Sequence, residues 1–384
     1  MNSVTCTLCL AVETMKNRVK LFLCGDVMTG RGIDQILPHP GDPTLHEPCM
    51  SDATDYVKLA ERATGPIPRP CQFDYLWGDA LKRFQQEAPQ AIIINLETAI
   101  TRSETHWKSK EVHYKMSPEN IGCLTEAGIQ CCVLANNHML DWGIPGLLDT
   151  LEALDKAAIK HAGAGHNLLA AQQPAIFPIA ADSRVMVFSL GSTSSGIPIT
   201  WSAEADRPGL NVIETQRDDP IRSLASQING IKRPGDVVVV SIHWGGNWGY
   251  KIPSNQKRFA HRLIDETGAS ILHGHSSHHV KAIEVYKERL ILYGCGDFFN
   301  DYEGIEGYEN FRGDLGLMYF VDVNPATGKL LALRMIPTQV RRFRVNDASE
   351  GDARWLEDIL NQEGKRFRTR VKLGAGNTLT LCWG

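Results

Sequence analysis

The chain predicts an α/β fold, on three observations. Short continuous apolar runs alternate with stretches of helical periodicity up to about residue 340. The runs are bounded by Gly, Asn and Asp, as buried strands are. Five of them end, at their C-terminal edge, in residues able to bind a metal. In order, Val19 to Cys24 leads into Gly25-Asp26, Ala91 to Ile94 into Asn95-Leu96-Glu97, and Cys131 to Leu134 into Asn136-Asn137-His138. Val237 to Ile242 leads into His243-Trp244-Gly245, and Ser270-Ile271-Leu272 into His273-Gly274-His275-Ser276-Ser277-His278. Ligands collect at the carboxyl ends of strands in α/β sheets, so these runs should converge carboxylates, imidazoles and an amide on one sheet edge. Asp, Glu, Asn and His with almost no Cys favour a divalent Mn, Fe, Zn or Mg ion over a thiolate site.

Between the strands, Leu147 to Ile159 has apolar residues at helical spacing, and Ser254 to Thr267 predicts a second helix before the strand at Ala269. Residues 33–77 break the rhythm with seven prolines, His39, His46 and the turn-like Pro38-His39-Pro40-Gly41-Asp42-Pro43. Long irregular segments in compact domains are usually functional or disordered. Placed just after Asp26, this one reads as a lid or substrate-selecting loop, with a bland surface insertion as the alternative. Residues 1–17 read as a dispensable extension: Thr5 to Val12 is apolar but has no basic residue before it and no clear cleavage site after it, and Met15 would itself serve as a start. Residues 18–340 then form one domain, and 341–384 a C-terminal extension packed on it, with Arg341-Arg342-Phe343-Arg344-Val345 as a solvated strand edge.

At 384 residues and 43% hydrophobic, the chain can bury one large core or two moderate ones. Its net charge of −4 gives no basic field, which argues against a nucleic-acid partner. No apolar stretch approaches the roughly 18 residues that span a bilayer, so no membrane anchor is expected. The ten cysteines are scattered, several in core runs, as in a reduced cytoplasmic protein. Cys6-Thr7-Leu8-Cys9 has no second pair to make a metal site with it.

The motifs Gly25-Asp26-Val27-Met28-Thr29-Gly30-Arg31, Asn95-Leu96-Glu97, Ala135-Asn136-Asn137-His138-Met139-Leu140-Asp141-Trp142-Gly143, His243-Trp244-Gly245 and Gly274-His275-Ser276-Ser277-His278 occur in that order. They are followed by Ile283-Glu284-Val285-Tyr286 and Leu292-Tyr293-Gly294-Cys295-Gly296-Asp297-Phe298. From about residue 19 to about 325 the chain resembles the CapA family of poly-γ-glutamate capsule synthesis proteins, within the calcineurin-like metallophosphoesterase superfamily. The resemblance implies a four-layer α/β/β/α sandwich with two mixed sheets and a site for two divalent ions. Asp26, Glu97 and His278 would hold one ion, and Glu97 would bridge to a second held by Asn137, His243 and His275. A shared carboxylate lowers the mutual repulsion of two dications. His138, beside a ligand, is then the natural proton donor to a leaving group. Arg31 would fork onto a substrate phosphate or carboxylate.

Some positions depart from the wider pattern. Met28 stands where the superfamily has His, which removes an imidazole from one ion; Asp297 stands where most CapA-like sequences have Asn, and Ser277 where they have Pro. Among the other candidates, His161, His166 and His261 read as satisfied polar groups, and strand alternation is expected to turn His273 and His279 away from His275. Asp141 reads as a helix cap. Trp244 and Trp248 are either core or a platform beside the metals. The leading function is a metal-dependent hydrolase of a phosphoester or a polyglutamate or peptide-type substrate, using metal-activated water. The alternatives are a metal-dependent peptide epimerase exchanging a Cα proton, and a non-catalytic protein binding an anionic polymer.

Overall fold

A computed structural model describes residues 18–180, 183–214 and 219–384. The N-terminal extension, with Cys6, Cys9 and Met15, lies outside the described residues. In chain order the main strands are β1 (Val19–Val27), β2 (Ala91–Leu96), β3 (Cys131–Val133), β4 (Lys160–Ala162), β5 (Ser183–Ser192), β6 (Val237–His243), β7 (Ile271–His275), β8 (Ile283–Tyr286), β9 (Arg289–Leu292), β10 (Asp297–Phe299), β11 (Leu315–Val323), β12 (Leu330–Val340), β13 (Thr369–Leu373) and β14 (Leu379–Trp383). The longer helices are α1 (Thr54–Thr64), α2 (Asp79–Glu87), α3 (Gly143–Lys156), α4 (Asp219–Ile231), α5 (Ser254–Thr267) and α6 (Glu350–Gly364).

Two mixed sheets result. The first runs β13-β14-β12-β11-β1-β2-β3-β4, with β10 also pairing β1; the second runs from Val212–Ile213 through β5-β6-β7-β9-β8. Period-two alternation divides each strand between two cores. Leu21, Leu23, Ile93 and Val133 of the first sheet meet Val185, Val187, Val237, Val239 and Ile271 of the second in one shared core. Phe22, Cys24, Ile92 and Ile94 face outward, where Ala80 and Phe84 of α2 and Leu147, Leu151 and Leu154 of α3 cover them. On the far side Met186, Phe188, Val238 and Val240 are covered by Ile221, Leu224 and Ile228 of α4 and by Phe259, Leu263 and Ile264 of α5. The layers are therefore helix, sheet, sheet, helix, with the central strands buried on both faces. Truncating an inner residue such as the fully buried Leu23 to Ala would cost about 2–5 kcal/mol.

Residues 33–77 are more ordered than their composition predicts. The prolines flank α1, whose Val57 and Ala60 join Ile33, Ile36 and Leu37 in the outer core. The expectation of a solvated edge at 341–345 also fails in part. Arg341 and Arg344 exchange backbone hydrogen bonds across a tight turn, Arg342 and Phe343 take positive φ, and the Phe343 ring is fully buried against Gly32. Beyond the turn, β13 and β14 extend the first sheet past β12, and α6 adds Leu356 and Leu360 to the inter-sheet core.

Candidate metal centre

The strand ends meet as their register requires. Asp26 lies opposite Asn95 on β2 and Asp297 on β10, while His243 and His275 are partners across β6 and β7. Because parallel neighbours end on the same side, both sheets deliver their polar ends to one edge. Two compact groups form there: Asp26 with His243 and His275, and Asp26 with His278 and Asp297, the ligand atoms of each lying within 4.8 Å of one another. His275 Nδ1 is 3.8 Å from Asp26 Oδ1, and His278 Nδ1 is 3.0 Å from Asp297 Oδ1. Glu97 Oε1 stands 3.7 Å from His243 Nε2 and 3.9 Å from His138 Nε2. Asp26 is common to both groups, and Glu97 stands beside His243.

Asn137 Oδ1 and His243 Nε2 are buried without a hydrogen-bond partner. Orphaned buried polar atoms are rare in folded proteins, and His243, beside Asp26, Glu97 and His275, belongs to a donor set that a borderline or hard dication takes. These residues fit a divalent metal.

The sequence reading missed the groups that hold the centre in place. Asn95 Nδ2 donates to Asp26 Oδ1 at 2.7 Å and the Ser276 N–H to Oδ2 at 3.2 Å, while Asn136 Nδ2 donates to Asn95 Oδ1 at 3.1 Å. Ser241 Oγ lies 2.8 Å from His275 Nε2 and 3.0 Å from His273 Nδ1. Asp297 opens β10 and meets Asp26 through the pairing of β10 with β1.

Charge follows burial. Desolvation, then neighbouring imidazoles, hold His243 and His275 well below the usual histidine range. Burial and the nearby Asp297 carboxylate raise Asp26 to about 7 against the pull of His278, Asn95 and Ser276. Glu97 is raised by burial and then by Asp26 and Asp297. Burial pulls His278 down, yet Asp297 carries it above its ordinary value.

His138 belongs to a separate array. Its Nδ1 lies 2.6 Å from Asp141 Oδ2, its ring stacks on Tyr114 at 3.8 Å, and Lys110 Nζ donates to Asp141 Oδ1 at 2.5 Å and to the Asn137 carbonyl. Burial pushes the imidazole down to about 4. Asp141 is not the helix cap expected of it: the N-cap of α3 is Trp142, without a side-chain bond, and the second Asp141 partner is the Tyr114 N–H at 2.8 Å.

The remaining candidates are placed by their partners, and only His273 departs from its expected direction. Arg31 reaches the cavity but its fork is taken: Nε and Nη2 donate to Asp301 at 3.1 and 2.5 Å, and Nη1 to Glu47 and to Tyr56 at 2.9 Å. Through Glu47 and Tyr56 it ties the 33–77 segment to the strand end at Asp26. His273, two residues from His275, faces the same side, as period two demands, and ends on the Cys24 carbonyl at 2.7 Å. His279 is held by the Gly249 N–H and faces the Val280 carbonyl. His161 pairs with Asp155, His261 with Glu284, and His166 is exposed. Trp244 is core, its Nε1 on the Tyr293 carbonyl at 3.0 Å, whereas Trp248 stands 5.4 Å from His278 and lines a cavity of about 680 Å³. Arg31, Tyr114, Asp297 and Tyr302 line the same cavity.

The family model described as bacterial capsule synthesis protein PGA_cap matches residues 20–302. The chain belongs to this family. It is 47% identical over 364 residues to a probable polyglutamine synthesis accessory protein of Mycobacterium tuberculosis, covering 94% of this chain and 96% of that one. It is 26% identical to the PGA biosynthesis protein CapA of Bacillus subtilis, covering 79% of this chain and 68% of that protein. A phosphatase of Mycoplasma pneumoniae aligns with 88% of this chain and 96% of its own, at a TM-score of 0.47 and 14% identity.

Met28 is buried in the outer core, its Sδ accepting the Gly30 N–H, and Asp297 stands beside Asp26 and His278. Among the described residues no helix is long and apolar enough to cross a membrane.

Proposed function

We propose that the chain is a metal-dependent hydrolase acting on a phosphoester or on a polyglutamate or peptide-type bond. One observation carries this reading: two ligand groups share Asp26 while the imidazole of His138 stands beside them, fixed by a carboxylate. Asp26, Asn137, His243 and His275 would hold one ion, and Asp26, His278 and Asp297 another, with Glu97 beside both. Ions bound there supply Lewis acidity and lower the pKa of water. The remaining roles belong to side chains. With Nδ1 committed to Asp141, the Nε2 of His138 is the atom that handles a proton at the leaving group. Lys110 keeps Asp141 charged and so keeps that tautomer. Arg31, neutralised by Asp301 and Glu47, anchors Tyr56 and the segment around it. The free, largely buried cysteines among the described residues support a reducing compartment such as the cytoplasm.

A second reading, Cα proton exchange on a peptide, draws on the Asp26 carboxyl held near 7, where an acid can take and return a proton at neutral pH. Metal-resolved mass spectrometry of the purified chain, with phosphate release from a phosphoester panel and deuterium uptake into carboxyl-terminal peptides, separates the two. Phosphate release without exchange supports the first; exchange without release replaces it with the second.

A further inference from the structure

The cavity that opens beside His278 and Asp297 has walls unlike those expected for a polyanion. Trp248 and Tyr308 stack face to face, 4.1 Å between centroids and 4° from parallel, and Phe311 packs 5.5 Å from Trp248. Gly313 lies under this wall, where a Cβ would stand 3.1 Å from the His278 carbonyl oxygen. Tyr308 is 50% exposed and Ile305 47%, so part of an aromatic surface faces the space beside the metal ligands with nothing covering it. The cations tell the other half. Arg31 is bonded to Asp301 and Glu47, and Arg312 to Asp314 and Asp352. Among the described residues lining the cavity, this leaves Arg341, at the exposed rim, as the arginine with no carboxylate against it, while Glu303 and Glu309 add negative charge. A γ-glutamyl chain carries a carboxylate on every residue and would meet these acids with few free cations in return.

We propose that the site takes a substrate with a single anionic reacting group seated against His278 and Asp297 and a flat, apolar or aromatic body lying on the Trp248–Tyr308 wall, and that it selects against polyanionic chains. This rests on the strand-end cluster being the reacting centre. Continuity supports it: Trp248 touches both the wall and His278. An aromatic face contributes about 0.5–1.5 kcal/mol beyond area burial, roughly tenfold in affinity at the upper end.

The test is calorimetry on the full chain supplied with Mn²⁺, using non-reacting probes so that leaving-group chemistry plays no part. Phenylphosphonate should bind about tenfold more tightly than methylphosphonate, and phenylacetate more tightly than acetate, with a γ-glutamate hexamer weaker than either aryl probe. Tyr308→Ala, at a half-exposed position that the fold tolerates, should shrink the aryl preference at least threefold, and Trp248→Leu should remove most of it. An equal response to aryl and alkyl members in both pairs, or tighter binding of the hexamer, overturns the proposal. Aryl preference without phosphoester turnover would discard the hydrolase reading and leave the substrate class standing; turnover without aryl preference would do the reverse.

Discussion

On one side of Asp26, His243 and His275 are fully enclosed imidazoles that burial keeps neutral; on the other, His278 and Asp297 share a hydrogen bond at the wall of an open cavity of about 680 Å³. The two sides ask different things of a cation. The imidazole side offers neutral nitrogen donors and the unpartnered Asn137 oxygen, which suit Zn, Fe or Mn. The carboxylate side gathers Asp26 and Asp297, with Glu97 between the sides, where burial makes their mutual repulsion expensive, so a dication there would relieve a strain that protons otherwise relieve. With ions bound as proposed, the imidazole side would confer selectivity and the carboxylate side affinity coupled to proton release.

Asp26 joins the sides, and its replacement is the largest perturbation available. Asp26→Asn should strip both ions, leaving less than about a tenth of the wild-type metal content, and abolish turnover. His275→Ala and Asp297→Asn should each lose about one ion and keep the other. If either single-side variant emptied both positions, the two sides would not be separable and the comparison would collapse to one binuclear unit. Next in size is Asp141→Asn, which leaves the ligands in place but frees the His138 tautomer; a loss of about 10²–10⁴ in kcat with unchanged metal content is expected. A parallel loss of metal would show that Asp141 supports Asn137 rather than the proton transfer.

The same contrast explains what could be read from the residues alone. The imidazole side was legible because β6 and β7 are parallel neighbours that end in register, so Val237 to His243 and Ile271 to His275 announce both the strand and its ligand. The layers were legible for a related reason: strands buried on both faces are continuous apolar runs. The carboxylate side was less so. Asp297 pairs with Asp26 only because β10 adds to β1 after an excursion of some 270 residues, a contact that no local pattern records. The partners of Arg31 were not legible, since Asp301 and Glu47 lie in separate loops and only the folded chain brings both carboxylates to one guanidinium. Periodicity missed α1 because the prolines on either side dominate the composition of 33–77. His273 was a different kind of miss: period two, correctly applied, already puts it on the face of His275.

The smallest effect tests how the shared carboxylate is charged. In the folded, metal-free chain, burial and Asp297 raise Asp26 to about 7 from an ordinary value of 3.8. Between those values the folded state keeps a proton that the unfolded chain has released. The stability tied to that proton is complete below about pH 4 and is lost as pH rises through about 7. Asp26→Asn carries no charge at any pH and so lacks this loss. Metal-free wild type and metal-free Asp26→Asn should melt at similar temperatures at pH 5, while at pH 8 the variant should melt a few degrees higher. Adding Mn²⁺ should reverse the order at pH 8, because only the wild type binds it. Taking the difference between the two proteins cancels His243 and His275, whose lowered values push stability the opposite way over the same range. A gap that did not change between pH 5 and 8 would mean Asp26 is already ionised in the empty site. Proton release on the carboxylate side would then have to come from Glu97.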